Sequence, residues 1–466
     1  MTKKNILYIV SCFLLCSANE SCEEFIDVNT PDYKLDSKVV FSTDNSAQRV
    51  LDGIYNQLFN TSYSGGGAQS VTYLAGLSAD NFDLTTITPE LTEFNTNQIT
   101  TTNAYNLSLW SGAYNIIYQT NALLNGIPNA GNLSQSTQDR LEGSGRFIRG
   151  FTYFYLVNLY GDVPLILDTG YQQNALATRT DKKSVYNQIL KDLESASELL
   201  NNSYTDNDRT RPNRFAALAM LARVHLFLGH WEQADAFSSQ VIAESSQYEL
   251  MGDLNSVFLA NSREAIWQIS PIGSGSSLTH TREGNIFIKT PTTSTPVELS
   301  ESFLNDFRGQ QDKRTEYWID VLSTDRDSLY YPNKYKIQYD ASGGDIREYS
   351  MVLRLTEQYF IRSEAAARMN NLENAVLNIN IIRSRASIPV VNTVSGQNEM
   401  LNLILLERRR ELFAEWGQRW FDLRRFEQSA ILRNKLNSNW EITSNLFPIP
   451  ASELMNNPNL TQNPGY

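Results

Sequence analysis

The chain has 466 residues, 41% of them hydrophobic and 19% charged, the make-up of a folded protein and not of a disordered one. Its 39 basic residues are outnumbered by 51 acidic ones, for a formal charge of −12, and the Arg408–Arg410 triplet is interleaved with acids. That balance argues against a nucleic acid partner.

At the start, Lys3 and Lys4 precede an apolar run from Ile6 to Leu15, broken only by Ser11 and Cys12. Small and polar residues then lead to Ser21-Cys22. A basic start, a short apolar segment and a small residue before a cut describe a secretory signal over residues 1–21, too short for a stable membrane span. Cys12, Cys16 and Cys22 all lie in or at the end of this segment, so the rest of the chain has no disulfide and no cysteine metal site. Cys22 after the small Ser21 is the expected lipidation site, although Asn19 stands where a leucine is usual; Cys12 leaves too short an apolar region. No later segment approaches a spanning length, which makes the lipid the expected membrane attachment. Residues 22–45, with a turn at Pro31-Asp32, read as an extended tether.

The first predicted helix is Ser46–Phe59, with Val50, Leu51, Ile54, Tyr55 and Leu58 on one side. Residues 60–103 turn to Thr, Asn, Ser and Gly, including Gly65-Gly66-Gly67, and read as a long functional loop. Helices follow at Tyr105–Gly126 and at Arg140–Tyr160. The second is apolar nearly all round and so should be buried, with Gly161 and Pro164 as its stop. Lys182–Leu200 is amphipathic, and Pro212 opens a helix running to Leu228.

A repeat emerges there. Ala222-x₃-Leu226-x₂-Gly229-x-Trp231-x₂-Ala234 has the small–large spacing of a tetratricopeptide helix pair, in which alanines allow close helix approach and glycine makes the turn. A second copy runs from Ala367 through Asn371-Leu372-x₂-Ala375, with Asn371 at the turn. Between the two copies, 249–349 reads as an insertion of loops and short strands. It holds a strand at Glu264–Ser270, a Gly/Ser/Thr loop at Pro271–Pro296 and a hairpin signal at Ser342-Gly343-Gly344.

Near the end, Glu407–Arg425 reads ERRRELFAEWGQRWFDLRR. Arg408 falls on the same helical seam as Leu401, Ile404, Leu405, Leu412 and Trp416. A buried guanidinium must be matched by carboxylates, and Glu407, Glu411, Glu415 and Asp422 are the nearest. The segment is expected to be an ion-pair network that fixes how two helices meet. Gly417 breaks it, crowded by Trp416, Trp420 and Phe421.

Taken together, these segments resemble the SusD/RagB family of lipoproteins. Ser21-Cys22-Glu23-Glu24-Phe25-Ile26-Asp27 is similar to its lipidated start. The stretch from Gly145-Arg146-Phe147-Ile148-Arg149-Gly150-Phe151 to Leu159-Tyr160-Gly161-Asp162-Val163-Pro164-Leu165 is similar to its signature helix and turn, with Gly150 where alanine is more usual. Arg354–Ala367, the NIIRSRA run ending at Ala386, and Glu407–Arg425 follow in the family's order. Leu446-Phe447-Pro448-Ile449-Pro450 and Gln462-Asn463-Pro464-Gly465-Tyr466 resemble its ending. The resemblance implies a mainly α fold: a tetratricopeptide-like α/α superhelical scaffold with a loop-rich, short-strand insertion. It places one domain over 46–466, with helices at about 46–245 and 354–428 and a ligand-facing region at about 249–349. It further implies a lipid-anchored protein exposed on the outer membrane, which captures a glycan and passes it to a SusC-like TonB-dependent transporter.

The residues add little catalytic chemistry. His225 and His230 are five apart, off the spacing of two ligands on one helix face, and His280 is remote. Asp206-Asn207-Asp208 lacks the glycine and closing glutamate of a calcium loop. No nucleophile elbow or phosphate loop appears, and no acid pair is singled out for glycoside hydrolysis. No enzyme activity, metal or cofactor is therefore expected. Sugars need aromatic faces and a hydrogen-bonding rim. The candidates are Tyr73, Asp80, Asn81, Phe82 and Asp83; His280 and Arg282; and Tyr317, Trp318, Tyr330, Tyr331 and Tyr339. Trp318 is the expected platform, so that its loss would weaken binding without unfolding, although Tyr317-Trp318-Ile319 could also pack on a short helix. Trp110, Trp231, Trp267, Trp416 and Trp420 read as core, and Trp440 is open. The competing functions are peptide binding on the same scaffold, a carbohydrate-active hydrolase and a structural repeat adaptor.

Overall fold

The computed structural model describes residues 40–466 apart from 272–277, 294, 325–326 and 436–437, and apart from the side chain of Asp206. The signal segment, Cys22 and the tether up to residue 39 lie outside the described residues. The first helices are α1 Asp44–Asn60, α2 Val71–Ser78, α3 Pro89–Thr96, α4 Ala104–Gly126, α5 Gln135–Tyr160, the short α6 Tyr171–Asn174, α7 Lys182–Leu199, α8 Arg214–Leu228 and α9 Trp231–Ala243. The later ones are α10 Arg282–Phe287, α11 Glu301–Asn305, α12 Lys313–Trp318, α13 Leu355–Arg368, α14 Leu372–Arg385, α15 Gln397–Leu412, α16 Gln418–Arg425 and α17 Ala451–Asn456. Strands β1 Phe82–Leu84, β2 Ala265–Ile269, β3 Val297–Leu299, β4 Ile319–Ser323, β5 Ser328–Pro332 and β6 Ser350–Arg354 pair antiparallel as β1–β3, β2–β6 and β4–β5.

The scaffold is helical and successive helices pack on one another: α4 on α5, α5 on α7, α7 on α8, α8 on α9, then α9 on α13 and α13 on α14. From Phe147 to Tyr160, α5 is buried on every side, as its all-round apolar sequence requires. Its one charge inside that run, Arg149, is matched. Nε and Nη2 donate to the two oxygens of Asp192 on α7 at 2.8 and 2.7 Å, and Nη1 to Asn121 of α4 at 2.9 Å. Gly150 sits where a methyl would press on Leu193 at 3.1 Å, so α5 and α7 approach closely there.

Both repeat copies are helix hairpins. The α8–α9 turn is made by Gly229 in the left-handed region (φ 75°) and the α13–α14 turn by Asn370 (φ 60°). Asn371, the expected turn residue, instead caps α14, its Oδ1 accepting the N–H of Asn374 at 3.2 Å. Ala222 and Ala234 of the first hairpin meet Ala365 of the second, with Leu226 and Ile361, in one buried cluster. Small residues at these points let the two hairpins stack.

Two expectations are corrected. Residues 60–103 are not one loop, because they contain α2, β1 and α3. Helix α2 is buried on all sides, so no amphipathic period announces it. Gly66 is packed too: a Cβ there would lie 2.2 Å from the carboxyl carbon of Glu283. The hairpin is β4–β5, and 341–344 is an exposed irregular stretch. The loop-rich insertion itself leaves the scaffold from β2 and returns through β6, a fully buried ladder.

The ion-pair network lies where the insertion meets α15 and α16. Arg408 reaches Asp422 at 2.7 Å and Gln418 at 3.1 Å. Glu411 and Glu415 serve cations from elsewhere in the chain, and Glu407 serves both Arg410 of the segment and the distant Arg314 and Arg383. Arg354, at the end of β6, donates to Glu264, Glu411 and Glu415 at 2.8–3.0 Å. Arg314 of α12 meets Asp312, Glu407 and Glu411. Burial works against the charge on Glu411, but Arg385, Arg354 and Arg314 outweigh it and hold the carboxyl far below the usual range. So saturated a cluster fixes geometry, since removing any one charge strands the others in low dielectric.

Candidate functional site

The irregular face is assembled from sequence-distant straps. β1 pairs with β3, β3 packs against β5, and Lys289, Thr290 and Thr293 line the same opening. Thr85 ties the straps together, its N–H donating to Pro296 O at 2.8 Å and its hydroxyl to Thr295 O at 3.1 Å. Between them opens a cleft of about 450 Å³, lined by Thr85, Thr86, Lys289, Thr293, Glu298 and Asp327 among others. Its apolar floor includes Leu322 and Leu329, cross-strand partners in the β4–β5 hairpin.

The electrostatics of the cleft are set by partial burial. Lys289 Nζ donates to the backbone and hydroxyl oxygens of Thr295, both at 2.9 Å, and burial lowers its pKa. Glu298 stands directly opposite Asp83 in the β1–β3 register, and the side chains of such a pair share one face. Burial raises the pKa of both carboxyls; for Glu298 the nearby Lys289 opposes the rise while Asp83 and Asp327 add to it. The arrangement offers hydroxyl donors and acceptors, carboxylate acceptors and one ammonium donor around a small apolar patch. A neutral polyhydroxyl compound is matched by that set, and a strongly charged one is not.

The description of the family model matching residues 24–226 is "Starch-binding associating with outer membrane", and a second model, the SusD family, matches 308–466. The chain belongs to the SusD/RagB family. SusD-like protein P2 of Formosa agariphila is 26% identical over the whole of both chains. A SusD superfamily protein from Bacteroides vulgatus superposes with a TM-score of 0.81 at 20% identity, over 91% of this chain and 99% of that one. A laminarin-binding SusD-like protein superposes with a TM-score of 0.77 at 22% identity, over 91% and 99%.

In this SusD-like chain the residues singled out from the sequence divide sharply. Asp83 stands on the same side of the ladder as the cleft residue Glu298, but Asp80 and Asn81 do not reach open space. Both Asp80 oxygens are held by Arg419, and Asn81 Oδ1 accepts Arg409 Nε at 3.0 Å. Tyr73 is fully buried against Phe287, and Phe82 packs on the same ring. Trp318 has no exposed face. Its indole N–H donates to Leu254 O at 3.0 Å, and its ring lies over Lys334 Nζ at 4.8 Å, a lid on the ion-pair network. The expectation that Trp318 is a stacking platform is therefore replaced by the packing reading. Tyr317 is half-buried against the core, and Arg282 lies over the Phe59 ring at 4.8 Å. Tyr331 is buried and donates to Asp320 at 3.1 Å. Trp440 is buried as well.

Of the aromatics singled out as ligand contacts, two remain open. Tyr330 alternates with the cleft residue Leu329, so it lies with its partner Val321 on the other face of the hairpin. Tyr339 is 63% exposed and leans on His280, ring centroids 5.1 Å apart. His280 Nδ1 lies within hydrogen-bonding distance of both the backbone N–H (3.0 Å) and the carbonyl oxygen (2.9 Å) of Asp340, which fixes the ring beneath Tyr339. His225 and His230 meet through their Nδ1 atoms at 3.1 Å, and among the described residues no group of three or more metal-binding side chains forms. Sequence reasoning missed the threonines, Lys289 and Glu298; hydroxyl-rich composition was the threonines' only signal, and Lys289 and Glu298 had none.

Proposed function

We propose that this protein binds a neutral oligosaccharide or polysaccharide at the loop-and-hairpin face, holding it without cleaving it, and passes it to a SusC-like TonB-dependent transporter. The observation carrying this reading is the cleft itself, whose threonine hydroxyls, paired carboxyls and single ammonium group suit a sugar's rim of hydroxyls. The starch-binding description of the family model and the laminarin-binding structural neighbour support a glycan as ligand. Lipidation at Cys22, a position on the cell surface and the transporter partnership complete the proposal and rest on the family resemblance.

The test is affinity electrophoresis and calorimetry of the purified protein against starch, laminarin and a peptide digest. Retardation by a polysaccharide, reduced about ten-fold (~1.4 kcal/mol) in the Asp83→Asn, Glu298→Gln double variant, is the expected result. Binding to peptides alone, or release of new reducing ends, would replace the proposal with one of its competitors.

A further inference from the structure

A second cavity, of about 810 Å³, opens on the helical side of the molecule. It shares no residue and no secondary-structure element with the cleft at the β1–β3 and β4–β5 straps. One wall is a stripe of α4, where Trp110, Tyr114 and Tyr118 recur at four-residue spacing and so lie one above another. The opposite wall carries Tyr171 and Asn174 of α6, and Glu453 and Asn456 of α17.

This groove is built in advance of any ligand. Tyr114 donates to Pro164 O at 2.9 Å, and Tyr153 brackets Ile166, accepting its N–H at 2.7 Å and donating to its carbonyl at 2.9 Å. Asp168 accepts Gly170 N–H at 2.8 Å and Asn174 Nδ2 at 3.1 Å, which closes the turn that presents Tyr171. Asn457 and Asn459 donate to Ala177 and Leu176 at 2.8 Å, stitching the segment after α17 to the loop after α6. Against this fixed frame Tyr171 is 84% exposed and Tyr118 57% exposed. Two large rings left open on a hydrogen-bonded frame call for an occupant.

The lining defines its chemistry. It has no lysine or arginine, so phosphate and other anions have no counter-charge. Ser111, Thr169, Asn174, Asn456 and the half-buried Glu453, which bonds to Trp110, form a polar rim around aromatic faces. Flat C–H surface over tyrosine rings with amide and carboxylate partners at the edge is the pattern a pyranose requires. We infer that this groove is a second saccharide-binding site, with Tyr118 and Tyr171 as its stacking rings. The inference rests on the glycan-binding reading above, and it adds that one long polysaccharide can be held at two places, gaining avidity that a short oligomer lacks.

The experiment compares wild type, the Tyr118→Ala, Tyr171→Ala double variant and the Asp83→Asn, Glu298→Gln double variant, using soluble starch, laminarin and short oligomers of each as probes. Unfolding midpoints are recorded alongside, and both tyrosines are exposed enough for the first variant to fold. The expected result is about ten-fold weaker polysaccharide binding (~1.4 kcal/mol) by the tyrosine variant at an unchanged midpoint, with a smaller change for short oligomers. Wild-type affinity in the tyrosine variant, alongside loss in the cleft variant, overturns this inference and leaves the proposed function standing. Loss in the tyrosine variant alone supports the groove and removes the cleft. A wild-type protein that binds none of the probes sinks both.

Discussion

Arg419 holds Asp80 by two parallel hydrogen bonds, Nε to Oδ1 at 2.7 Å and Nη2 to Oδ2 at 2.8 Å, inside the protein and 339 positions apart in the chain. Arg409 adds a third contact from α15, to the Asp80 carbonyl at 2.8 Å. An acidic residue in a polar segment, which reads as a ligand contact in the sequence, is thus a clamp between α2–β1 and the α15–α16 corner.

Asp80→Ala should destabilise the fold by about 3–5 kcal/mol, because two guanidinium groups are left buried and underpaired. Urea unfolding measures this. The folded fraction should keep its saccharide affinity; a variant of normal stability that lost binding would return Asp80 to the ligand site. Burial opposes the Asp80 charge, but Arg409 and Arg419 prevail and hold its pKa at about 2, against 3.8 when exposed. A lowered folded pKa contributes stability above pH 3.8 that disappears as pH falls through 2. Acid unfolding of Asp80→Asn should therefore be shallower than that of wild type in this window.

Glu283 behaves in the opposite sense. Burial pushes its carboxyl up to about 7, even though Ser350 donates a hydrogen bond to it. A carboxyl raised in the folded state is most favourable when protonated, so its contribution is complete below pH 4.5 and declines as pH rises toward 7. Glu283→Gln keeps an acceptor for Ser350 and cannot ionise. At pH 8 it should exceed wild type in stability by roughly 1–3 kcal/mol, and at pH 4 the two should match. Equal stability at both values would show that Glu283 stays charged without penalty.

Trp318→Ala removes the ring that roofs the ion-pair network and leaves a cavity over Lys334 and Phe258. The expected cost is about 3–5 kcal/mol of stability, seen as a lower thermal midpoint. Saccharide affinity of the molecules that remain folded should not change. Selective loss of binding at full stability would favour the stacking role instead.

Tyr339→Ala tests the open ring on the irregular face. Its exposure predicts a stability change within about 0.5 kcal/mol. Polysaccharide binding should weaken by about ten-fold if the ring and His280 form one edge of the saccharide site. Calorimetry on wild type and variant separates the two quantities, and unchanged binding would confine the site to the cleft.

The helical body was legible in the chain. Leu51, Ile54 and Leu58, the all-round apolar α5, the alanines at 222, 234 and 367 and the Arg408 seam follow local rules of spacing and burial, and local rules are what a sequence displays. The structure alone decided which polar residues are free. Asp80, Asn81, Tyr73 and Trp318 look like ligand contacts until Arg409, Arg419, Phe287 and Lys334 arrive from far along the chain to claim them. Thr85, Lys289 and Glu298 form a cleft only because β1 pairs with β3 across more than two hundred residues. Helix formation and its apolar stripe are settled between neighbours a turn apart. Whether a polar or aromatic group meets solvent or a partner depends on long-range packing, which no local pattern records.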